Sequence, residues 1–280
     1  MSNEKKPNSA ERDSEYAKRR REFRDAKAAR AAPETGSRGR GQPPESIHLY
    51  GLHTVRAAME NPSRTIRKML VTRNALARME IEDPQSLPFP VEMVSPQDID
   101  KLLPPDSIHQ GVLIEAKPLR LRKVAELKDA TVVLVLDQIT DPHNVGAIMR
   151  SAVAFGASAI ITTLRHSPQE SGVLAKSASG AFEMIPYLQV GNLAEAIEEL
   201  NHLGFTTIGL DSAGPERLEN TLTGEKIALV LGAEGKGLRQ KTANTVSALA
   251  RLDMPGAIKS LNVSNAAAIS LYAARKHLDS

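Results

Sequence analysis

The amino-acid sequence predicts an α/β protein built around a parallel β-sheet. From Ala130 to the end of the 280-residue chain, short apolar segments typical of buried strands alternate with longer segments of helical periodicity. Continuous apolar strands separated by helices indicate a parallel sheet that is covered on both faces. Apolar residues make up 41% of the chain, which suffices for one large or two modest folded domains.

The elements of this downstream region follow one another in regular order. The predicted strands are Val132–Leu136, Ala159–Thr163, Tyr187–Val190, Thr207–Leu210, Ile227–Leu231 and Ala248–Met254. The predicted helices are Val145–Phe155, Ser171–Ser179, Asn192–Leu203 and Val263–His277. Ligands of such sheets bind beyond the carboxyl ends of the strands. The loops after Leu136, Leu231 and Met254 are therefore the candidate sites.

Residues 47–117 are predicted to form a smaller α/β unit, and residues 118–129 a polar connector to the domain at 130–280. The predicted elements of the unit are a helix at His53–Glu60, strands at Arg67–Thr72, Val91–Val94 and Val112–Glu115, and a helix at Ser95–Leu102. This pattern alone indicates no function.

Residues 1–46 are expected to be disordered, because they are rich in charged residues, Ser, Gly and Pro and almost lack large aliphatic residues. They hold 12 Lys and Arg against 8 Asp and Glu, whereas the rest of the chain has a net charge of −1. Within them, residues 11–32 have a helix-forming composition. Two interpretations stay open: a solvated charged tail, or an RNA-contacting arm that orders on binding.

The composition excludes several classes of function. The absence of cysteine excludes disulfides, cysteine-ligated zinc and reactions that need a thiolate, such as methylation of a pyrimidine carbon through a cysteine adduct. The seven histidines show no tight metal-ligand spacing, so we expect no metal. No apolar run approaches the roughly 18–20 residues of a membrane helix, and the N-terminus lacks the apolar stretch of a secretory signal. We therefore expect a cytoplasmic protein without membrane contact.

The first candidate loop, residues 137–150, joins a buried strand to a helix and contains Asn144 and Arg150. Asn144 could be only a helix N-cap, since Asn is favoured at that position. Arg150 lies in an apolar stretch, which is unusual for a charge without a partner or a ligand. A structural role and a ligand contact both stay open for Arg150.

The second loop, residues 232–237, has three glycines, which allow the backbone to approach a ligand closely. It matches neither the dinucleotide-binding fingerprint nor the phosphate-binding loop. Glu234, in its middle, is either a surface carboxylate or a functional one.

The third loop starts at Met254 and contains Ser260, Asn262 and Ser264 before a helix. Any one of them could cap that helix, but one cap does not require so many Ser and Asn residues. The run Ala266–Ala268 then allows close packing of the helix.

The joint occurrence of these loops, in this order, resembles the SpoU class of tRNA and rRNA ribose 2′-O-methyltransferases within the SPOUT superfamily. The resemblance covers Val132–Leu278 and all three motifs of the family. Upstream, the sequences Tyr50-Gly51-Leu52-His53 and His109-Gln110-Gly111-Val112 resemble the ribosomal-protein-L30e-like substrate-binding domain that precedes many SpoU catalytic domains. The combination most resembles bacterial members that methylate a guanosine of large-subunit ribosomal RNA.

The resemblance implies a trefoil-knotted methyltransferase domain over residues 130–280, an L30e-like domain over residues 47–117 and an obligate homodimer. It also implies S-adenosyl-L-methionine as methyl donor, RNA as substrate and no metal. The residues that match the catalytic positions of the three motifs are Asn144, Arg150, Glu234, Ser260 and Asn262. Those that match backbone positions around the adenine of the cofactor are Gly232, Leu252 and Leu261. Asn265 departs from the pattern, since many relatives carry a small apolar residue there.

In the family, the Arg of the first motif is regarded as the base that removes the proton of the 2′-hydroxyl. A free guanidinium stays protonated at physiological pH. We therefore expect Arg150 to bind the adjacent phosphate and to stabilise charge that develops on the attacking oxygen. Ser260 and Asn262 would orient Arg150 and the hydroxyl, and Asn144 and Glu234 would hold the RNA.

Three other interpretations stay open. A transfer-RNA guanosine 2′-O-methyltransferase is of the same class, and only analogy with the upstream domain favours ribosomal RNA. A non-catalytic RNA-binding factor of ribosome assembly would keep the fold, although it would not need all three motifs. A methyltransferase acting on a small molecule or a protein would be distinguished by methyl transfer that does not depend on RNA.

Overall fold

The computed structural model describes residues 44–233, 235–258 and 260–280, which form two β-sheets. The first sheet has the strand order β1-β4-β2-β3, with β1 and β2 antiparallel to β4 and β3 parallel to β2. Its strands are β1 (Ile47–Tyr50), β2 (Ile66–Val71), β3 (Val91–Met93) and β4 (Val112–Ala116). Three helices accompany them: α1 (Leu52–Glu60), α2 (Arg73–Arg78) and α3 (Pro96–Asp100).

Two elements of this region were not predicted. The strand β1 comprises only four residues, and α2 comprises six, capped by the Thr72 side chain, which accepts a hydrogen bond from the backbone N–H of Ala75. The six residues of α2 make up less than two helical turns, too few to display a helical period in the sequence. The helix predicted over Ser95–Leu102 begins at Pro96, with Ser95 as its N-cap, and ends at Asp100.

The second sheet has seven strands in the order β7-β6-β5-β10-β8-β11-β9. All of its pairings are parallel, which confirms the predicted parallel sheet. Its strands are β5 (Val132–Asp137), β6 (Ala159–Thr163), β7 (Tyr187–Val190), β8 (Thr206–Leu210), β9 (Glu216–Arg217), β10 (Ile227–Gly232) and β11 (Ala248–Arg251). The prediction that β11 extends to Met254 is wrong. Its neighbour β9 has only two residues, so the backbone beyond Arg251 has no strand to pair with on that side.

The helices around this sheet are α4 (Pro142–Ala154), α5 (Gly172–Ala178), α6 (Ala181–Met184), α7 (Leu193–His202), α8 (Leu218–Thr221), α9 (Gln240–Thr245) and α10 (Val263–Leu278). Of these, α6, α8 and α9 were not predicted, because each has only four to six residues. The helix α4 begins three residues before the predicted Val145, since Asp141 caps it and Pro142 occupies the first helical position.

The two faces of the second sheet are buried in two different clusters. Along β5, Val132, Leu134 and Leu136 belong to one cluster and Val133 and Val135 to the other. This alternation follows from the two-residue period of a strand. The first cluster also contains residues of β1, β2 and β4, so the two sheets share one continuous core.

Some expectations fall outside the described residues. The disordered tail predicted for residues 1–46 lies almost entirely in residues 1–43, which are not described, and Glu234 and Lys259 are not described either. Among the helices of the described residues, none has the length and apolar character needed to cross a membrane.

Candidate functional site

The first and second candidate loops leave the sheet side by side. In the register of β5 and β10, Asp137 lies opposite Gly232, and these are the last residues of the two strands. Because the strands are parallel, both loops start at the same edge of the sheet. The two candidate loops are therefore adjacent, as expected for loops that follow neighbouring parallel strands, and a ligand site at this edge stays a prediction.

Asn144 and Asn262 bring the first and third loops together. The amide nitrogen Nδ2 of Asn262 donates a hydrogen bond to Oδ1 of Asn144 at 3.1 Å, across 118 residues of sequence. Asn144 is not the N-cap of α4, because Asp141 has that role and accepts a hydrogen bond from the backbone N–H of His143 at 2.9 Å. The side chain of Asn144 instead takes part in this longer-range contact.

Asn262 caps α10 and contacts the first loop as well. Its Oδ1 accepts hydrogen bonds from the backbone N–H of Ser264 at 2.8 Å and from the Ser264 hydroxyl at 2.6 Å. The capping role that the sequence suggested is therefore real, but it accompanies the contact with Asn144. Ser260 lies two residues earlier in an exposed part of the loop.

The second loop is a tight turn that depends on its glycines. Ala233 and Gly237 form an isolated antiparallel bridge, and the backbone N–H of Gly237 donates to the carbonyl of Ala233 at 2.9 Å. A Cβ on Gly232 would collide with the backbone of Gly237. Gly235 and Gly237 have φ values of 75° and 63°, a region that favours glycine. Glu234, the predicted catalytic residue of this turn, lies outside the described residues.

Asp137 and Arg239 connect the first two loops, although no sequence pattern singles out either residue. Nε of Arg239 donates to Oδ1 of Asp137 at 2.7 Å, and the backbone N–H of Arg239 donates to Oδ2 at 3.1 Å. The Asp137 side chain is fully buried, so the two hydrogen bonds satisfy a carboxylate that would otherwise be costly to bury. A carboxylate at the end of an otherwise apolar strand was the signal that could have revealed it.

Comparison with known proteins was decisive for the family. The model described as SpoU rRNA Methylase family matches residues 131–272, which is half of the chain. The chain belongs to the SpoU rRNA methylase family. A second model, described as RNA 2′-O ribose methyltransferase substrate binding, matches residues 48–122.

Named relatives cover most of the SpoU chain. It is 36% identical to the 23S rRNA (guanosine-2′-O-)-methyltransferase RlmB of Ralstonia nicotianae over 81% of this chain and 94% of the relative. The enzyme of the same name from Pseudomonas putida is 33% identical, with the same two coverages. The crystal structure of the SpoU methyltransferase AviRb from Streptomyces viridochromogenes superposes with a TM-score of 0.72 at 20% identity, covering 84% of this chain and 90% of that one. The last likeness concerns the fold alone.

Arg150, the Arg of the first SpoU motif, is exposed on the surface of α4 and forms no hydrogen bond or ion pair within the part of the chain that is described. The apolar residues next to it in sequence leave it exposed, because they face the core: Val145, Ile148, Met149 and Ala152 are buried. Six residues correspond to about 9 Å along a helix and about 240° around it. Within one chain, therefore, Arg150 and Asn144 do not share a face of α4.

The three residues expected near the cofactor of a SpoU enzyme have different environments. Gly232 ends β10, and Leu252 packs against the large core cluster just after β11. Leu261 is 39% exposed, and Ile258 on the same loop is 76% exposed. The third loop therefore presents apolar side chains to solvent beside the Asn144–Asn262 contact.

A separate cavity of about 580 Å³ lies against the first sheet, away from the three SpoU motifs. Its lining includes the cations Lys68 and Arg73 and the acids Glu92 and Asp98. Hydrogen bonds from Lys101 and from Ser95 lower the pKa of Asp98 to about 2, so this acid is charged and already engaged. Among the described residues, no group of three His, Asp or Glu side chains is arranged to hold a metal ion.

Proposed function

We propose that this protein transfers a methyl group from S-adenosyl-L-methionine to the ribose 2′-hydroxyl of a guanosine in large-subunit ribosomal RNA. The observation that carries the proposal is the hydrogen bond between Asn144 and Asn262, which unites the first and third motifs of the SpoU family. The relatives from Ralstonia nicotianae and Pseudomonas putida, whose names specify this reaction on 23S rRNA, support the choice of substrate.

The residues at the three loops fit the proposed cofactor. An adenine needs an apolar surface for its faces and backbone groups for its edge. Ile258, Leu261 and Leu252 supply apolar side chains, and the glycine turn at Gly232 supplies a closely approaching backbone. These residues would hold the adenine. When bound, the cofactor supplies an electrophilic methyl group on a sulfonium, so the reaction needs no metal.

The protein contributes mainly the position of the hydroxyl and the charge around it. Arg150 binds the phosphate beside the target ribose and stabilises negative charge that develops on the 2′-oxygen as its proton passes to water. Asn144 and Asn262 hold the ribose, with Asn262 fixed in place by the first turn of α10. Ser260 and Glu234 complete the set of polar groups that orient Arg150 and the RNA.

A homodimer would bring Arg150 close to the Asn144–Asn262 contact. Because Arg150 and Asn144 lie on different faces of α4, we propose that Arg150 of one subunit completes the site of its partner. The exposed apolar side chains Ile269 and Tyr272 on α10 support an interface there, since contiguous apolar surface marks contacts between proteins. They lie three residues apart and so share a face of the helix.

The trefoil knot belongs to this proposal too. After β11, which lies beyond β8 in the sheet, the chain returns to the side of β5, where Asn262 contacts Asn144 and Arg275 donates to the carbonyl of Phe155 at 3.0 and 3.1 Å. The chain thus crosses back over β8 and β10. This crossing supports a knotted path in which the chain passes through one of its own loops.

We propose that residues 47–117 are an L30e-like RNA-binding domain, joined by residues 118–129 to the methyltransferase domain at residues 130–280. The open cavity with Lys68 and Arg73 offers cations for phosphates and a recess for an unstacked base. The basic tail, residues 1–46, would add electrostatic attraction for RNA. A ribosomal substrate is consistent with the cytoplasmic location that the sequence predicts.

The experiment that tests this function is a map of 2′-O-methyl groups in RNA from cells with and without the gene. We expect one 2′-O-methylguanosine of the large-subunit RNA to disappear in the deletion strain and to return with the intact gene. If the methyl group is lost from transfer RNA instead, the substrate is transfer RNA and not ribosomal RNA. Unchanged ribose methylation in all RNA would contradict the proposal.

A further inference from the structure

The bridging segment, residues 170–183, contains α5 and α6 and lies between the first sheet and the first candidate loop, residues 137–150. One of its sides contacts α1 and β1 of the upstream unit, residues 47–117, and the other packs against α4. Hydrogen bonds and ion pairs hold the bridging segment on both sides. These contacts involve residues that the proposed reaction does not use.

Arg64 fixes both ends of the bridging segment. Its Nη1 donates to Oε1 of Glu170 and its Nη2 to Oε1 of Glu183, each at 2.6 Å. The side chains of Arg64 and Glu183 are 0% and 2% exposed, so these are buried ion pairs. Nη1 also donates to the carbonyl of Lys117 at 2.8 Å, and Oε2 of Glu170 accepts from the backbone N–H of Leu119 at 2.9 Å. The start of the connector is thereby tied to the same cluster.

The electrostatics of this cluster make it sensitive to the loss of any member. Burial opposes the charge of Arg64, but the hydrogen bond to Glu183 and the negative charges of Glu183 and Glu170 prevail and raise the pKa of the guanidinium. Burial raises the pKa of the Glu170 carboxyl, and Arg64 opposes that shift. Removing one partner would leave a buried charge uncompensated.

Gln110 holds the middle of the bridging segment. Its Oε1 accepts hydrogen bonds from Nζ of Lys176 at 2.6 Å and from the backbone N–H of Leu52 at 3.2 Å. Gln110 and Leu52 belong to the two upstream sequences that resemble a substrate-binding domain. In the fold, the Gln110 side chain therefore links Leu52 of the upstream unit to Lys176 of the bridging segment. Burial lowers the pKa of the Lys176 ammonium, so its hydrogen bond to Gln110 compensates for lost water.

Two glycines allow the bridging segment to pack so closely against its neighbours that it has no space to shift. A Cβ on Gly172 would collide with the carbonyl of His48 and lie 2.6 Å from the Tyr50 ring. On the other side, a Cβ on Gly146 of α4 would lie 2.5 Å from Cβ of Ser177. Such close backbone contacts transmit displacements, because packed interiors do not compress easily.

The middle of the segment also contacts the candidate active site directly. The hydroxyl of Ser177, next to Lys176, forms a hydrogen bond with Nδ1 of His143 at 3.1 Å. His143 precedes Asn144, which accepts the hydrogen bond from Asn262. The path from Gln110 to the first candidate loop is therefore short. It runs through Lys176, its neighbour Ser177 and the hydrogen bond from Ser177 to His143.

We propose that Gln110 and Arg64 are positioning residues: through the bridging segment, the upstream unit holds Asn144 in the geometry that methyl transfer requires. This inference rests on the proposed function and assigns the upstream unit a second role beside RNA contact. The upstream unit then controls the rate of the chemical step as well as the affinity for RNA.

The test uses the full-length protein with Gln110→Met, which has the length of Gln but no oxygen for Lys176 or Leu52. At saturating RNA, we expect the single-turnover rate of methyl transfer to fall by about 10- to 100-fold, as small misplacements of reacting groups do. RNA affinity should stay close to that of the parent protein, and amide hydrogen exchange of residues 143–147 should accelerate. Gln110→Glu keeps the acceptor and should restore the rate. Gln85→Met, at an exposed position of the same unit, is the matched control.

Equal rates and equal exchange in Gln110→Met and Gln85→Met would overturn the proposal. A loss of rate explained entirely by lost RNA affinity would also overturn it, because Gln110 would then be an RNA contact. Should Gln110→Met not fold, Lys176→Met removes the other partner of the same hydrogen bond and is assessed by the same criteria. If the parent protein methylates no ribose, the proposed function fails, whereas the exchange comparison still tests the support of the loop.

Discussion

At the scale of single residues, Asn144 and Asn262 show what a sequence can and cannot reveal. Each is typical of a helix cap, and Asn262 does cap α10. Their hydrogen bond to each other links positions 118 residues apart, and only the folded chain displays it. Asp137 and Arg239 were missed for the same reason, since neither residue has a motif around it that indicates its partner.

Arg150 provides the sharpest prediction at this scale. If it binds the phosphate and stabilises the attacking oxygen, Arg150→Ala should lower the single-turnover rate by roughly 100- to 1000-fold, the usual cost of a lost transition-state donor. Arg150→Lys should recover little, because an ammonium lacks the planar fork of a guanidinium. Since Arg150 is exposed, the melting temperature and cofactor affinity should hardly change. Methyl transfer, calorimetric titration and thermal melting on the same variants provide the measurement.

Arg165→Ala, another exposed arginine outside the three motifs, is the matched control and should keep the parental rate. Near-normal turnover of folded Arg150→Ala would remove Arg150 from the catalytic residues. A joint loss of stability and cofactor binding, with normal turnover in the remaining folded fraction, would instead assign it a structural role.

At the scale of helices and strands, periodicity predicted the long elements and failed for the short ones. The six main strands of the second sheet were predicted because continuous apolar runs bounded by polar residues are hard to mistake. The two-residue strand β9 and the four-residue helices α6 and α8 have no period and form because their neighbours provide partners. The early end of β11 has the same cause, since its length is limited by the short β9.

The packing of α4 on α5 yields a prediction in which two effects oppose each other. Within a helix, Gly→Ala is favourable by about 1 kcal/mol on propensity alone. At Gly146, however, the new methyl group would lie 2.5 to 2.8 Å from Ser177 and the backbone of Ala178. Overpacking of this kind typically costs about 1–3 kcal/mol. We expect Gly146→Ala to lower the free energy of unfolding, as measured by urea denaturation.

Gly191→Ala is the matched control, because no atom lies within 4 Å of the Cβ that it would add. Its free energy of unfolding should change by no more than about 0.5 kcal/mol, as for other surface substitutions. A Gly146→Ala protein at least as stable as the parent would show that α4 and α5 can separate more easily than their contacts indicate.

At the scale of the whole molecule, the sequence predicted two units but not how closely they are joined. Composition and motifs change near residue 120, which is visible in the sequence. The continuous core across both sheets and the buried Arg64 cluster depend on partners about 50 to 120 residues away, which no local pattern announces. The boundaries at residues 47–117 and 130–280 stay a prediction.

The basic tail allows a prediction about RNA affinity. Residues 1–43 hold 12 Lys and Arg against 7 Asp and Glu, so their removal eliminates more than the net positive charge of the chain. Deleting them should leave folding and cofactor binding intact, weaken RNA binding and reduce the slope of log K against log salt concentration. Binding titrations at several salt concentrations measure this slope. An unchanged slope would retire the RNA-arm interpretation and leave a passive tail.

Substitutions on the exposed apolar face of α10 test the proposed dimer. Sedimentation at micromolar concentration should show a dimer without a stable folded monomer. Ile269→Asp, at a position that is 47% exposed on α10, should weaken the dimer and lower methyl transfer with it. Leu121→Asp, 52% exposed in the connector, should do neither. A folded monomer that transfers methyl groups at the parental rate would defeat the dimer and the shared site.

The most direct test of the central claim is the position of the transferred methyl group. Purified protein is incubated with large-subunit ribosomal RNA and S-adenosyl-L-methionine labelled in its methyl group, and the RNA is then digested to nucleosides and separated by mass. We predict label in 2′-O-methylguanosine, none in base-methylated nucleosides, and loss of that label in the Asn144→Ala and Asn262→Ala variants. Label on a base, or label in 2′-O-methylguanosine that survives both substitutions, would contradict the account.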